Sequence, residues 1–134
     1  METERLKSIE LFETIPDEEL AAIAPFAEER EVEAGTPLVK EGQFSYEFMA
    51  IEEGTAEVTR AGEHVAELGP GNFFGEIGLL ERALRTATVT AKSHMRLITL
   101  TGWDMKRMEK AIPEAVEEIR RVLEERRPAD RSSE

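Results

Sequence analysis

The sequence predicts one α+β domain, in which short helices precede an antiparallel β body and a helix pair follows it. Apolar residues have a helical period before Glu28, alternate in short runs as far as Thr101, and return to a helical period afterwards. Glycine-containing turn signals separate the short runs at regular intervals, which favours a sandwich, jelly roll or barrel over a parallel sheet. The 134 residues suffice to bury one core, and no cysteine is present to form disulfides.

Two short helices are predicted before the β body. The first, Thr3–Phe12, carries an irregular apolar stripe made of Leu6, Ile9, Leu11 and Phe12. The second begins at Asp17, a residue type that caps helices, and its apolar residues recur at helical spacing: Leu20, Ile23 and Phe26.

The β body is predicted from short alternating runs separated by turn pairs such as Glu53-Gly54 and Ala61-Gly62. The candidate strands are Arg30–Glu33, Pro37–Lys40, Glu47–Ile51, Ala56–Arg60, His64–Glu67, Thr86–Ala91 and Met95–Thr101.

Two further helices are predicted after the strands, Gly102–Ala111 and Pro113–Arg127. A proline suits the first turn of the second helix, whose apolar stripe consists of Val116, Ile119, Val122 and Leu123. The sequence therefore predicts a single domain, residues 1–127, followed by a flexible polar tail, residues 128–134.

The net charge of −12 weighs against autonomous binding to nucleic acid, because a polyanion is repelled. The charge is uneven: residues 1–70 hold 18 acidic and 5 basic side chains, whereas residues 71–134 hold 11 and 12. An anion is therefore least repelled by the second half. No apolar stretch approaches the ~20 residues of a membrane-spanning helix, and the start lacks the features of a secretory signal. We predict a cytoplasmic protein that does not bind membranes.

The sequence offers little for catalysis. Its two histidines, His64 and His94, are thirty residues apart and belong to no metal-binding spacing. The serines lack both a partnered His–Asp pattern and a nucleophile elbow. We therefore predict that the protein is not an enzyme and has no catalytic residues, metal site or cofactor.

One segment, residues 71–89, departs from the acidic, strand-like background. Gly75 and Gly78 allow close backbone approach, and a helical turn that begins at Gly75–Glu76 would present unpaired N–H groups to an anion. Arg85 supplies a positive charge and a planar fork of donors that matches phosphate oxygens. The carboxylate of Glu76 suits a sugar hydroxyl. These residue types together describe a site for a sugar phosphate.

Two runs in this segment resemble the phosphate-binding cassette of cyclic nucleotide-binding domains: Phe74-Gly75-Glu76-Ile77-Gly78-Leu79-Leu80 and Arg85-Thr86-Ala87-Thr88-Val89. The resemblance extends over about Leu11–Arg127. It implies an antiparallel β-roll, which is a double-stranded jelly roll, flanked by N-terminal helices and a C-terminal helix pair. It also implies a stand-alone regulatory module that binds a cyclic nucleotide, with cyclic AMP favoured over cyclic GMP.

The resemblance assigns a role to each matched residue. Glu76 would bind the ribose 2′-hydroxyl, and Arg85 the exocyclic oxygens of the cyclic phosphate. The remaining ligand contacts would come from backbone N–H groups of the cassette, from the Thr86 hydroxyl and from three strand positions: Gly75, Ile77, Gly78, Thr86, Ala87, Val58, Val65 and Ala66. Leu79 would be the apolar hinge against which Pro113–Arg127 packs when that helix closes over the base.

Three further expectations accompany this interpretation. Residues 43–46 lack the turn residues usual in the family, and we expect that loop to lie far from the cassette. The effector is expected to be a separate protein. The alternatives are a non-binding β-roll that serves for dimerisation or docking, and the sensor fragment of a transcription regulator. The stripe of Val116, Ile119 and Leu123 could form a homodimer through residues 113–127, or could pack on the β body.

Overall fold

The computed structural model of the chain describes residues 1–45, 47–75 and 83–130. Within these ranges, ten strands form two four-stranded sheets and a two-stranded ribbon. The first sheet has the order β1 (Glu28–Val32), β10 (Met95–Thr101), β4 (Glu47–Glu53) and β7 (Phe73–Phe74). The second has the order β2 (Pro37–Val39), β9 (Thr88–Ala91), β5 (Ala56–Arg60) and β6 (Glu63–Leu68). The ribbon pairs β3 (Phe44–Ser45) with β8 (Ala83–Leu84).

All the described strand pairs are antiparallel, and helices precede and follow them, so the predicted α+β class and β-roll are confirmed. The described α-helices are α1 (Thr3–Lys7), α2 (Asp17–Ile23), α3 (Gly102–Ala111) and α4 (Pro113–Asp130), and 3-10 turns occupy Glu10–Phe12 and Ala24–Phe26.

Two hydrophobic cores share the strands of the first sheet. On β4, Met49 and Ile51 face the second sheet, whereas Phe48 and Ala50 face the helices. Because successive side chains of a strand point to opposite faces, one strand supports both cores. The inter-sheet core consists of Val32, Leu38, Met49, Ile51, Ala56, Val58, Phe74, Ala87, Val89, Ala91, Met95 and Leu97.

The N-terminal helices differ from the prediction in two respects. The predicted helix Thr3–Phe12 is instead α1 followed by a 3-10 turn, and its four apolar residues are all buried. On one α-helix those four would spread over more than half of the circumference, so burying them together requires a break. Asp17 is not the cap, since Pro16 occupies that position. Asp17 lies in the first turn, and its Oδ1 is 2.9 Å from Lys7 Nζ.

Helix α4 extends to Asp130, one turn beyond the predicted end at Arg127. Pro128 therefore lies in the last turn, where a proline removes a backbone hydrogen bond without ending the helix. Residues 131–134 of the predicted tail lie outside the described ranges.

The apolar stripe of α4 is used inside the chain. It packs against the N-terminal helices and the helix-facing side of the first sheet, and the buried residues that it contributes are Ala115, Val116, Ile119, Val122 and Leu123. The expectation that this stripe packs on the β body is therefore correct, and the N-terminal helices are further neighbours. In this arrangement the stripe is not available to pair with a second copy.

The turn between β9 and β10 holds a histidine between two carboxylates. His94 Nε2 lies 3.0 Å from Glu31 Oε1, and Nδ1 lies 3.1 Å from Glu33 Oε2. The hydrogen bond with Glu31, and then that with Glu33, raises the pKa of His94. Since the folded pKa exceeds the unfolded one, this stabilisation is complete below the unfolded pKa and is lost as pH rises through the folded pKa.

We expect the free energy of unfolding to fall more steeply with rising pH in the wild type than in His94→Gln, starting from about pH 6.5. Urea denaturation over a pH series measures both slopes. The difference should persist in a His64→Gln background, which removes the other histidine. Equal slopes in wild type and variant would contradict the role assigned to His94.

Candidate functional site

The site is centred on Arg85, which lies between the ends of β8 and β9. Its backbone is paired on both sides with the loop before β3: Arg85 N–H donates to the Gln43 carbonyl at 2.8 Å, and Gly42 N–H donates to the Arg85 carbonyl at 2.9 Å. The ribbon continues this pairing, with Phe44 opposite Leu84. These bonds fix the main chain on both sides of the arginine.

The Arg85 guanidinium is turned inward, and the residue is only 9% exposed. Its Nη2 donates to the carbonyl oxygen of Glu47 at the start of β4. Burying a cation is costly, so a buried guanidinium with a fixed donor fork is suited to bind an anion that enters the site.

Gly75 packs directly on this guanidinium. It has φ of +78°, a region that favours glycine. A Cβ at this position would lie 2.6 Å from the Glu47 carbonyl oxygen and 2.8 Å from Arg85 Nη2. Both the backbone angle and the space therefore require glycine, and the structure brings Gly75 and Arg85 together.

A second set of hydrogen bonds ties the β5–β6 turn to the same region. Arg60 Nε donates to the Thr86 carbonyl at 3.2 Å, and Ala61 N–H donates to Glu41 Oε1 at 3.0 Å. Glu41 N–H in turn donates to Thr88 Oγ1 at 3.0 Å. These bonds fix the backbone that follows Arg85 against the β5–β6 turn and the loop after β2.

The predicted strand contacts occupy three different environments. Val58 and Ala87 are buried in the inter-sheet core, and Ala66 is half-buried against it, opposite Val58. Val65 is 39% exposed. Val58 pairs with Ala66 and Thr59 pairs with His64, so Val65 is the extra residue of a β-bulge.

Thr86 is exposed, next to Arg85. Four predicted site residues lie outside the described residues: Glu76, Ile77, Gly78 and the hinge Leu79. The described part of the site therefore comprises the arginine, the first cassette glycine and the strands, while the roles given to these four stay predictions.

Several groups that hold Arg85 or the backbone next to it were not predicted from the sequence. The loop that begins at Gln43 was expected far from the cassette, and that expectation is wrong, because this loop pairs with the Arg85 backbone. Glu41, Glu47 and Arg60 were not singled out at all. Glu47 and Gln43 act through main-chain carbonyls, which leave no residue-type signal in a sequence.

In residues 1–45, 47–75 and 83–130, no group of three or more His, Asp or Glu side chains could hold a metal ion. Across that same part of the chain, no helix combines the length and the apolar character needed to cross a membrane.

Comparison with known proteins gives a consistent set of similarities. The family model of the cyclic nucleotide-binding domain matches residues 29–110. A cyclic nucleotide-gated potassium channel of Rhizobium etli is 33% identical over 120 residues, which are 90% of this chain and 34% of the channel. A cAMP-dependent protein kinase regulatory subunit of Yarrowia lipolytica is 38% identical over 97 residues, 71% of this chain and 26% of the subunit. The chain thus spans about a third or less of these curated relatives.

Two solved structures have a fold similar to that of this chain. The N-terminal domain of a transcriptional regulator from Streptomyces coelicolor matches with a TM-score of 0.83 and 25% identity, covering 96% of this chain and 94% of that domain. The regulatory domain of Toxoplasma gondii PKA, crystallised with cAMP, matches with a TM-score of 0.68 and 29% identity, covering 78% of this chain and 42% of that chain.

Proposed function

The chain belongs to the cyclic nucleotide-binding domain family, and on that premise we propose that it binds a cyclic nucleotide at Arg85 and acts as a regulatory module. The observation that carries the proposal is the buried Arg85 guanidinium, packed on Gly75 and held by backbone bonds on both sides. A cyclic phosphate has one negative charge and two exocyclic oxygens, which the planar fork of an arginine can bind together.

The other contacts are assigned to the phosphate, the ribose and the base of the nucleotide. Thr86 and Ala87 would donate to the phosphate, and Glu76 would accept from the ribose hydroxyl. Val58, Val65 and Ala66 would contact the sugar and base through apolar surface. Gly75, Ile77 and Gly78 would complete the phosphate nest with their N–H groups.

We favour cyclic AMP over cyclic GMP. The regulatory domain of Toxoplasma gondii PKA was solved with cAMP, and the Yarrowia lipolytica relative is a subunit of a cAMP-dependent kinase.

Signalling is proposed to occur through α4, with Leu79 as the hinge. The buried stripe of α4 packs on the helix-facing side of the first sheet, whereas Val58 and Ala66 lie in the second sheet. Closing α4 over a nucleotide therefore requires this stripe to repack. Ligand drives such a movement only if it binds the closed state better than the open one.

The output is proposed to be read by an effector protein in trans, in the cytoplasm. A homodimer through residues 113–127 would have to use the exposed side of α4, since the apolar side is buried. A second candidate is the sensor part of a transcription regulator, favoured by the similarity to the Streptomyces coelicolor domain over 96% of this chain.

Isothermal titration of the full chain with cyclic AMP, cyclic GMP and linear 5′-AMP tests the proposal. We expect saturable binding of both cyclic nucleotides, tighter for cyclic AMP, and weak binding of 5′-AMP. A ligand at 100 times its Kd should stabilise the fold by about 2.7 kcal/mol, which a melting curve detects. Hydrogen exchange of residues 113–123 should change on saturation if α4 moves.

Two results would count against parts of this proposal. If neither cyclic nucleotide binds below millimolar concentration, the non-binding β-roll is the better description. If binding occurs without any change in hydrogen exchange of α4, the site is correct and the signalling helix is wrong.

A further inference from the structure

Helix α3 carries an exposed aromatic and cationic surface. Trp103 is 64% exposed, although it is the only tryptophan of the chain. Its neighbours on the same side of the helix are all basic and all exposed: Lys106, Arg107 and Lys110. At 100° per residue the four positions lie within an arc of about 100°, opposite the buried Met105 and Met108. We call these four residues the Trp103 face.

Among the described residues, the acidic side chains of α3 pair with arginines and not with the two lysines of this face. Asp104 is buried, accepts from the Thr101 backbone at 2.9 Å and is paired with Arg107 at 2.5 Å. Glu109 is paired with Arg120 of α4 at 2.6 Å. Among the described residues, Lys106 and Lys110 enter no ion pair, and Lys106 Nζ lies 4.9 Å from the centre of the Trp103 ring.

We propose that the Trp103 face docks an acidic segment of a partner protein. Charge complementarity indicates this occupant, because two lysines can pair with carboxylates while the exposed indole takes an apolar side chain. Tryptophan is enriched at the energetic centre of interfaces. A face on a ten-residue helix is small, so the contact is weak and transient.

An extended polyanionic surface fits less well than a narrow acidic segment. The whole chain carries a net charge of −12, so an anionic membrane or a nucleic acid would bring many carboxylates of this chain close to like charge. A single peptide segment meets only the face itself. The Trp103 face shares no residue with the proposed nucleotide site, and its test does not need nucleotide.

The test uses a fluorescein-labelled peptide with repeating Glu-Glu-Leu-Glu units and a matched peptide in which glutamine replaces glutamate. We expect the acidic peptide to bind the full chain saturably by anisotropy, more weakly at higher salt, and to shift the Trp103 fluorescence to shorter wavelength. The glutamine peptide should bind much more weakly. Lys106→Gln/Lys110→Gln should weaken binding of the acidic peptide about fivefold.

The matched control is Lys7→Gln/Lys92→Gln, which removes two exposed lysines elsewhere. It should change the affinity by less than about twofold. Equal weakening by both double variants, or no binding of the acidic peptide to the wild type, would overturn the proposal. So would binding to phosphatidylserine vesicles without binding to the peptide, or self-association by sedimentation that Trp103→Ala abolishes, since these identify a membrane or a second copy as the occupant.

Discussion

Arg85→Ala should weaken cyclic nucleotide binding by about 2–5 kcal/mol, which is roughly 30-fold or more in Kd. The residue is buried, so the proposed bond with a phosphate would form away from water and be weakly screened by salt. Removing it leaves the phosphate without its principal positive charge in a chain whose net charge is −12. Titration calorimetry of wild type and variant measures the difference.

Two further variants separate charge from geometry at this position. Arg85→Lys keeps the charge but loses the planar fork, so its affinity should lie between wild type and alanine. Arg107→Ala removes an arginine on α3 and should leave the nucleotide affinity within about twofold. The melting temperature without ligand reports how much of each effect is structural. If Arg85→Ala binds like the wild type, the anion site is elsewhere.

Candidate site residues could be proposed from the sequence, but the groups that hold them in place could not. Arg85 and Gly75 stand out because an arginine fork and a flexible glycine are chemically distinctive. The groups that hold them are mostly backbone atoms, such as the carbonyls of Gln43 and Glu47. Any residue type supplies a carbonyl, so only the fold reveals which one is used.

Strands and helices could be predicted where the local residue pattern is clear and the element is long enough to show it. The ranges of β5, β10 and α3 match their predictions residue for residue, because glycine turns or a change of period bound them. The two-residue strands β3, β7 and β8 were missed. Two residues cannot establish an alternation, and β7 exists only because it pairs with Met49 and Ala50, more than twenty positions earlier.

Gly75→Ala should disturb the same site through the residue that packs on the Arg85 guanidinium. An alanine with φ of +78° costs about 1–2 kcal/mol in itself. Its Cβ would also lie 2.6 Å from the Glu47 carbonyl oxygen and 2.9 Å from Arg85 Nη1, closer than real contacts allow. The guanidinium or the start of β4 must therefore shift. We expect both the free energy of unfolding and the nucleotide affinity to fall.

Gly35→Ala is the matched control for this substitution, because Gly35 has φ of +90° and a Cβ there would meet nothing within 4 Å. It carries the backbone strain without the clash and lies in the turn between β1 and β2. Urea denaturation should give Gly75→Ala a loss larger by about 1 kcal/mol or more than Gly35→Ala. Titration should give a loss of affinity in Gly75→Ala alone. Equal losses in the free energy of unfolding would mean that the guanidinium moves aside without an energetic cost. If the affinity of Gly75→Ala were also unchanged, the position of Arg85 beside Gly75 would not be what binds the phosphate.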